Sequence, residues 1–377
     1  NVLIAKKIGI STNIYLEDWS NGMRNSKNYV YELLSFIQSL PVKRVLLPDT
    51  LGVMTYYETF KYINEVVKKY PSIHFDFHGH NDYDLSVANT MEAVRAGCHG
   101  LHLTINGMGE RAGNTPMAST VATLKDFLPG IKVNIKESSL YKVSKLVATF
   151  TGFRIPANKP VVGQNVFTQT AGIHADGDRK NNLYFNDLLP ERFGRTREYA
   201  MGKTSGKANI EKNLQKLGVN LNKNDIKKVT KRIIELGDQK EVVTTEDLPF
   251  VISDVLNSNI EHKVFVKSYV LTHSKGLKPT TNILIEIDGE ILEENSSGDG
   301  QFDAFMNAIK KIYERKEMKL PKLVDYAVRI PPGSASDALC ETLITWKNDK
   351  KEFITRGLDS DQTVSAIKAT EKMLNII

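Results

Sequence analysis

The sequence has few of the features that mark secreted, membrane-spanning or nucleic-acid-binding proteins. Only two cysteines occur among 377 residues, Cys98 and Cys340, too few for a disulfide framework or a cysteine-based zinc site. No apolar run approaches the roughly 18 residues that span a bilayer. Basic residues are scattered, so the formal charge of +6 predicts attraction of small anions. We therefore expect a cytoplasmic protein with no membrane and no nucleic-acid partner.

Four strand-like segments, each followed by a helix-like segment, make up residues 7–130. The strands are predicted in KIGISTNIYL, KRVLLP, IHFDF and HGLHLT. No GxGxxG motif follows any of them, which argues against a dinucleotide-binding fold. Repeated βα units instead predict an α/β domain with a parallel sheet and helices packed on it.

Polar side chains follow each predicted strand at the point where the strand ends. The carboxyl ends of parallel strands meet on one face, which in a (β/α)8 barrel is the active-site face. Four units are half of such a barrel. The polar residues are Glu17 and Asp18, then Asp49 and Thr50, then His78 and His80, and finally Glu110, Arg111 and Asn114.

The stretch FHGHNDYDLS, residues 77–86, carries the strongest chemical signal. His78 and His80 stand two apart at a strand end, so both side chains point the same way and can reach one ion. Two surface histidines would give the same spacing. The strand-end position and the neighbouring amide and carboxylate groups favour a divalent metal site.

The rest of the chain divides by composition into two further parts. Residues 131–262 are helical and irregular, as linker subdomains are, and residues 263–377 read as two βββα units. A shift of 61 residues aligns Asp288 with Asp349 and Gln301 with Gln362. We therefore predict domains 1–130, 131–262 and 263–377, the last a small α+β domain built by duplication.

The long motifs resemble those of the 2-isopropylmalate, citramalate and homocitrate synthase family. FHGHNDYDLSVANT and NGMGERAGN carry the resemblance, and bacterial citramalate synthases are similar in most detail. Further matches extend over essentially the whole chain. They are YLEDWSNGMRNS, LPDTLGV, VFTQTAGIHADGD, LPERFGR and RIPPG.

The resemblance implies a role for each matching residue. The metal, Zn, Mn or Mg, would bind His78, His80 and Asn114 and polarise the ketone of a 2-oxo acid. The implied catalytic residues are Glu17, His174 and Tyr184, and the implied substrate-binding residues are Thr50 and Asp18. His174 resembles a histidine that the linker of a partner subunit delivers, which implies a homodimer with linker exchange. The duplicated domain resembles an allosteric regulatory domain for a branched-chain amino acid.

The implied activity is a Claisen-type condensation of acetyl-CoA with a 2-oxo acid by an acyltransferase. Pyruvate would give citramalate, with isoleucine as effector, and 2-oxoisovalerate would give 2-isopropylmalate, with leucine as effector. A non-catalytic chain that binds an effector is a second hypothesis. A metal-dependent aldolase or lyase on a related barrel is a third, which the duplicated domain disfavours.

One family motif has no counterpart in this sequence. The RDGEQ-type stretch, which supplies an Asp ligand and a catalytic Arg on the first barrel strand, is absent. The resemblance begins just before the fifth strand. We therefore predict the C-terminal half of a TIM barrel, strands 5–8, in an N-terminally truncated chain that is inactive by itself.

Overall fold

A parallel sheet of four strands forms the centre of the N-terminal part of the chain. Its order is β1-β2-β3-β4, and every neighbouring pair is parallel. The register places Asp76 opposite Gly100 and His78 opposite His102. The strands are β1 Thr12–Tyr15, β2 Val42–Asp49, β3 Phe75–Gly79 and β4 Gly100–His102.

The computed structural model describes residues 1–169, 186–199, 201, 207–217, 221–238, 248–256, 263–330, 340–349 and 352–376. His174 and Tyr184 lie outside these ranges. The described residues form two compact units. One comprises Asn1–Thr168 and a segment that ends at Glu198, and the other comprises Gln169 and the described residues from Tyr199 onward.

Helices follow the strands of the first unit, and a short helix precedes the first strand. The prediction that a strand begins at Lys7 was wrong, because the chain is helical up to that residue and Gly9 turns it with a φ of 78°. A residue in that left-handed conformation interrupts a regular strand. The helices are α1 Val2–Lys7, α2 Trp19–Asn25, α3 Lys27–Gln38, α4 Tyr56–Lys69, α5 Ser86–Arg95, α6 Met117–Phe127 and α7 Leu140–Thr151.

The alternation of residues along β3 separates the core from the site. Phe75 and Phe77 are fully buried and belong to the apolar cluster that α2 to α5 build against the sheet. Asp76 and His78 come from the alternate positions, so they point to the other face. One face of the sheet is thus an apolar core, and the opposite face carries the polar side chains.

The start of α4 is secured by a capping box. The Thr55 hydroxyl accepts from the Glu58 backbone N–H, and the Glu58 carboxylate accepts from the Thr55 N–H at 3.0 Å. Arg24 of α2 donates twice to the same carboxylate, at 2.8 and 2.6 Å. These contacts anchor the loop that runs from β2 to α4.

The middle of the chain contains short elements and helices. None of the helices in the described ranges is long and apolar enough to cross a membrane. The short elements are the 3-10 turns Ile105–Gly107, Glu137–Ser139 and Pro190–Phe193 and the strands β5 Thr168–Gln169 and β6 Glu198–Tyr199. The helices are α8 Lys207–Leu217, α9 Lys223–Asp238 and α10 Leu248–Leu256.

Two antiparallel three-stranded sheets, each followed by a helix, complete the second unit. Their buried residues form one apolar cluster that includes Phe305 and Trp346. Asn375, which follows the last helix, and Glu371 within it accept from backbone N–H groups of the first strand of this unit's two sheets, at 3.1 and 3.0 Å. The elements are β7 Val264–Thr272, β8 Thr280–Ile287, β9 Glu290–Ser297, α11 Gln301–Arg315, β10 Lys322–Arg329, β11 Cys340–Lys347, β12 Glu352–Asp359 and α12 Gln362–Leu374.

Candidate metal and substrate site

The two imidazoles of the H-x-H motif meet at the carboxyl end of β3. Their Nε2 atoms lie 3.3 Å apart, and the rings are nearly perpendicular at 85°. Two nitrogen ligands, each about 2.1 Å from a tetrahedral ion, lie about 3.4 Å from each other. Burial, together with the neighbouring His80 and His102, lowers the pKa of His78 to about 4. This ring is therefore neutral near pH 7, as a metal ligand must be.

The loop after β4 brings Asn114 next to this pair. His80 and Asn114 form an isolated antiparallel bridge, and the Asn114 Oδ1 is buried without a hydrogen-bond partner. An orphaned amide oxygen on the residue that pairs with His80 fits a third ligand for a divalent ion. No cluster of three or more His, Cys, Asp or Glu side chains that could hold a metal occurs within the described ranges.

Glycine is required where this loop folds back on itself. Gly113 has a φ of 88°, and a Cβ there would lie 2.0 Å from the carbonyl oxygen of Gly107. A Cβ on Gly109 would lie 2.6 Å from the Asn114 Nδ2. The glycines of the NGMGERAGN motif thus let the backbone pack against itself and place Asn114.

Thr50 begins the loop after β2, and its hydroxyl group is oriented by the loop after β1. The backbone N–H of Asp18 donates to the Thr50 Oγ1 at 2.9 Å, so the hydroxyl proton is left to bind an acceptor. The Asp18 carboxylate accepts from Asn21 at 2.9 Å. Glu17 is exposed beside it. The loops after β1 and β2 are therefore in direct contact.

Asp49, the last residue of β2, holds the loop after β2 through hydrogen bonds to its backbone. It is fully buried at the end of β2, and burial raises the pKa of its carboxyl. The carboxylate accepts from the backbone N–H groups of Val53 and Met54 at 3.1 and 3.0 Å. The Asp49 carbonyl accepts from the N–H of His80 at 3.3 Å, which joins the Thr50 loop to the imidazole pair.

Backbone strain is concentrated in these loops. Four residues other than glycine adopt a positive φ there, at angles between 53° and 59°. Such conformations are unfavourable for residues with a Cβ and cluster at functional sites. The four are Asp18, Asp84, Asn106 and Arg111.

A polar network on the same face of the sheet was not predicted. Asp76 is fully buried, and its carboxylate lies 3.1 Å from Arg44 Nη1, 3.0 Å from His74 Nε2 and 3.4 Å from His102 Nε2. The Tyr15 hydroxyl lies 2.8 Å from His102 Nδ1. The alternation His74, Asp76, His78 in the sequence could have placed two of these groups, His74 and Asp76, on the same face as His78. The contacts of Asp76 with Arg44 and His102, which come from the neighbouring strands, depend on strand register.

The structure brings together six of the eight predicted site residues, since all six lie at the carboxyl ends of β1 to β4. They are Glu17, Asp18, Thr50, His78, His80 and Asn114. The two others, His174 and Tyr184, lie outside the described residues, so their predicted roles and the exchange of a linker between subunits stay predictions.

Comparison with known proteins identifies three domain models along the chain. An HMGL-like model matches residues 1–147. A "homocitrate synthase post-HMGL domain-like" model matches residues 161–241, and a "LeuA allosteric (dimerisation) domain" model matches residues 242–377. The chain is thus an α/β protein of the HMGL-like class with a LeuA-type C-terminal domain.

Curated relatives specify the family. A 2-isopropylmalate synthase of Methanocaldococcus jannaschii is 32% identical over 99% of this chain and 71% of its own length. The (R)-citramalate synthase CimA of the same organism is 31% identical over 99% of this chain and 75% of its own length. The chain belongs to the family of citramalate synthases and 2-isopropylmalate synthases.

Solved structures show weaker likeness. A hydroxymethylglutaryl-CoA lyase from Pseudomonas aeruginosa aligns with a TM-score of 0.34 at 17% identity, over 41% of this chain and 54% of that structure. The aligned region thus spans about half the length of that enzyme.

Proposed function

We propose that the protein condenses acetyl-CoA with a 2-oxo acid, with pyruvate as the substrate and citramalate as the product. The observation that carries the proposal is the pair of Nε2 atoms 3.3 Å apart, together with the orphaned Oδ1 of Asn114, which pairs with His80. Family membership and the oriented Thr50 hydroxyl support it. The alternative product is 2-isopropylmalate, formed from 2-oxoisovalerate.

His78, His80 and Asn114 would hold a divalent ion, Zn, Mn or Mg. When bound, that ion supplies Lewis-acid polarisation of the oxo group. The Thr50 hydroxyl donates to the carboxylate of the oxo acid, because its oxygen already accepts from Asp18. Glu17 is the proposed catalytic carboxylate. Removal of a proton from the acetyl methyl gives an enolate that forms the new carbon–carbon bond, and hydrolysis of the thioester releases CoA.

The four-stranded parallel sheet supports an interpretation as strands 5–8 of a barrel. Its helices cover one face, and its polar site residues lie at the carboxyl ends of the strands, where a TIM barrel places its active site. The prediction that residues 1–377 are inactive by themselves is untested.

The C-terminal domain is proposed to bind a branched-chain amino acid and to join two subunits. A cavity of about 660 Å³ lies on its first sheet. Val270 supplies an apolar wall, and Asn282, Asn295 and Lys311 supply polar groups that could bind an amino acid's charged ends. Isoleucine is the expected effector of a citramalate synthase and leucine that of a 2-isopropylmalate synthase.

A non-catalytic, effector-binding role is the second candidate. It is favoured by the charge of the ligand set, since two neutral imidazoles and one amide supply no anionic ligand to a divalent ion. In that case the protein binds the amino acid and releases no CoA.

The test measures metal binding and CoA release together. We expect Zn²⁺ or Mn²⁺ to bind by calorimetry and His80→Ala to abolish that binding, whereas His273→Ala, an exposed histidine of the second unit, leaves it intact. CoA release with pyruvate but not with 2-oxoisovalerate identifies a citramalate synthase. Metal binding that survives His80→Ala would contradict the proposed site. Effector binding without metal binding or oxo-acid binding would favour the second candidate.

A further inference from the structure

Arg111 joins three of the four loops at the carboxyl end of the sheet. It lies in the loop after β4, and its Nε and Nη2 donate to the two carboxylate oxygens of Asp82 at 2.7 and 3.0 Å. Nη2 also donates to the backbone carbonyl of Thr50 at 2.7 Å. Asp82 follows β3, and Thr50 follows β2. One guanidinium group thus connects the loop of the imidazole pair to the loop of the proposed carboxylate-binding hydroxyl.

The backbone around this contact is shaped to allow it. Arg111 itself has a φ of 53°, and it is the only member of the four strained residues in these loops that is neither Asp nor Asn. Aspartate and asparagine tolerate the left-handed region better than arginine does. Gly52 has a φ of 61°, and a Cβ there would lie 2.8 Å from an Asp82 carboxylate oxygen. The loop after β2 therefore passes directly against Asp82.

Both the side chain and the backbone of Thr50 accept hydrogen bonds from neighbouring loops. Its hydroxyl oxygen accepts from the Asp18 N–H, and its carbonyl oxygen accepts from Arg111. With the carbonyl released, the peptide plane can rotate, and the hydroxyl loses its fixed direction. We propose that Arg111 is a positioning residue, which holds the Thr50 hydroxyl in register with His78 and His80 so that both ends of a 2-oxo acid are bound at once. The inference rests on the proposed function.

The chemistry of arginine explains why this residue type is used. A guanidinium group reaches both carboxylate oxygens of Asp82 and a carbonyl in one plane, whereas a lysine ammonium has no such fork. The side chains of Arg111 and Asp82 are 39% and 20% exposed, so the pair contributes little to folding stability. Its removal should therefore affect ligand binding more than unfolding.

Arg24 provides a matched control. It donates to both Glu58 oxygens, at 2.8 and 2.6 Å, and to the Val53 carbonyl at 2.9 Å, and its side chain is 30% exposed. These are the same three acceptor types in the same arrangement, but on the helix side of the β2–α4 loop. Arg24→Met removes an equivalent ion pair from the same loop but loosens it at Val53 and not at Thr50, so it controls for general loosening of the loop.

The experiment compares Arg111→Met, Asp82→Asn, their double variant and Arg24→Met with the unaltered chain. Calorimetry gives the affinity for Mn²⁺ and then, with the metal saturating, for pyruvate and 2-oxoisovalerate. Hydrogen exchange is measured in residues 50–54 and 80–84. We expect Arg111→Met to weaken oxo-acid binding about tenfold or more, as loss of a charged hydrogen bond does, and to leave the metal affinity within about threefold. Exchange in residues 50–54 should accelerate.

Further outcomes separate positioning from general stability. The double variant should lose no more affinity than the stronger single variant, because both act through one contact. Equal losses in Arg111→Met and Arg24→Met, or unchanged exchange in residues 50–54, would overturn the inference. If the unaltered chain binds no oxo acid, the proposed function fails. The exchange result then decides by itself whether Arg111 holds Thr50.

Discussion

Gly100 offers a sharp test of the polar network on the sheet. It lies opposite Asp76 in the register of β3 and β4, and a Cβ at Gly100 would lie 2.1 Å from Asp76 Oδ1. The carboxylate has no exposed surface and lies within 3.1 Å of Arg44 and 3.0 Å of His74. It cannot move away from a new methyl group without leaving these partners. Gly100→Ala should therefore destabilise the first unit.

The size of the effect follows from two contributions. Overpacking costs about 1–3 kcal/mol, and separating a buried charge from its partner costs about 3–5 kcal/mol at most. The Arg44 and His74 side chains are 42% and 39% exposed, so water can replace part of their interaction with Asp76. We expect Gly100→Ala to lower the free energy of unfolding by about 3 kcal/mol.

The assay uses the fully buried Trp19 as a local probe. With Trp346→Phe as the common background, Trp19 is the remaining tryptophan, and urea unfolding followed by its fluorescence reports on the first unit. Gly130→Ala is the control, because a Cβ there meets no atom within 4 Å. That change should stabilise the protein by less than about 1 kcal/mol through the unfolded state.

A second substitution identifies the cause. In an Asp76→Ala background the steric conflict is absent, so Gly100→Ala should then cost less than about 1 kcal/mol. The reasoning is refuted if Gly100→Ala is as stable as the unaltered chain, or if its cost is the same with and without Asp76.

Three further predictions concern other parts of the chain. Burial raises the pKa of Cys98 to about 12, so a disulfide reagent at pH 8 should label this thiol at least about 100-fold more slowly in the folded than in the urea-unfolded protein. The Arg24 guanidinium lowers the pKa of Glu58 to about 2, so this carboxylate stabilises the fold above about pH 4.5, and the stabilisation is lost as the pH falls towards 2. In urea titrations, Arg24→Met should reduce the loss of unfolding free energy between pH 5 and pH 2.5, and an unchanged loss would contradict the assignment. The Asp361 carboxylate accepts from the first N–H groups of α12 at 2.7 and 2.9 Å, so Asp361→Ala should cost about 1 kcal/mol and Asp361→Asn much less, measured by unfolding of the second unit.

Much of the candidate site could be predicted because it follows from local order. The H-x-H spacing places His78 and His80 on one side of an extended backbone whatever surrounds them. Polar residues at the ends of parallel strands must share a face, which accounts for Thr50 and Asn114. The start of β1 was predicted too early, because the apolar pattern of residues 7–15 suits a strand and does not reveal the left-handed turn at Gly9.

The sequence by itself determined the alternation that separates the core from the site, since the two-residue period of β3 puts Phe75 and Phe77 on one face and Asp76 and His78 on the other. Tertiary structure decided which groups meet across the sheet. Arg111 reaches Thr50 over 61 residues, and Arg44 reaches Asp76 over 32. Such contacts depend on strand register and on loop conformations that only the packed helices hold in place, so no local pattern of residues encodes them.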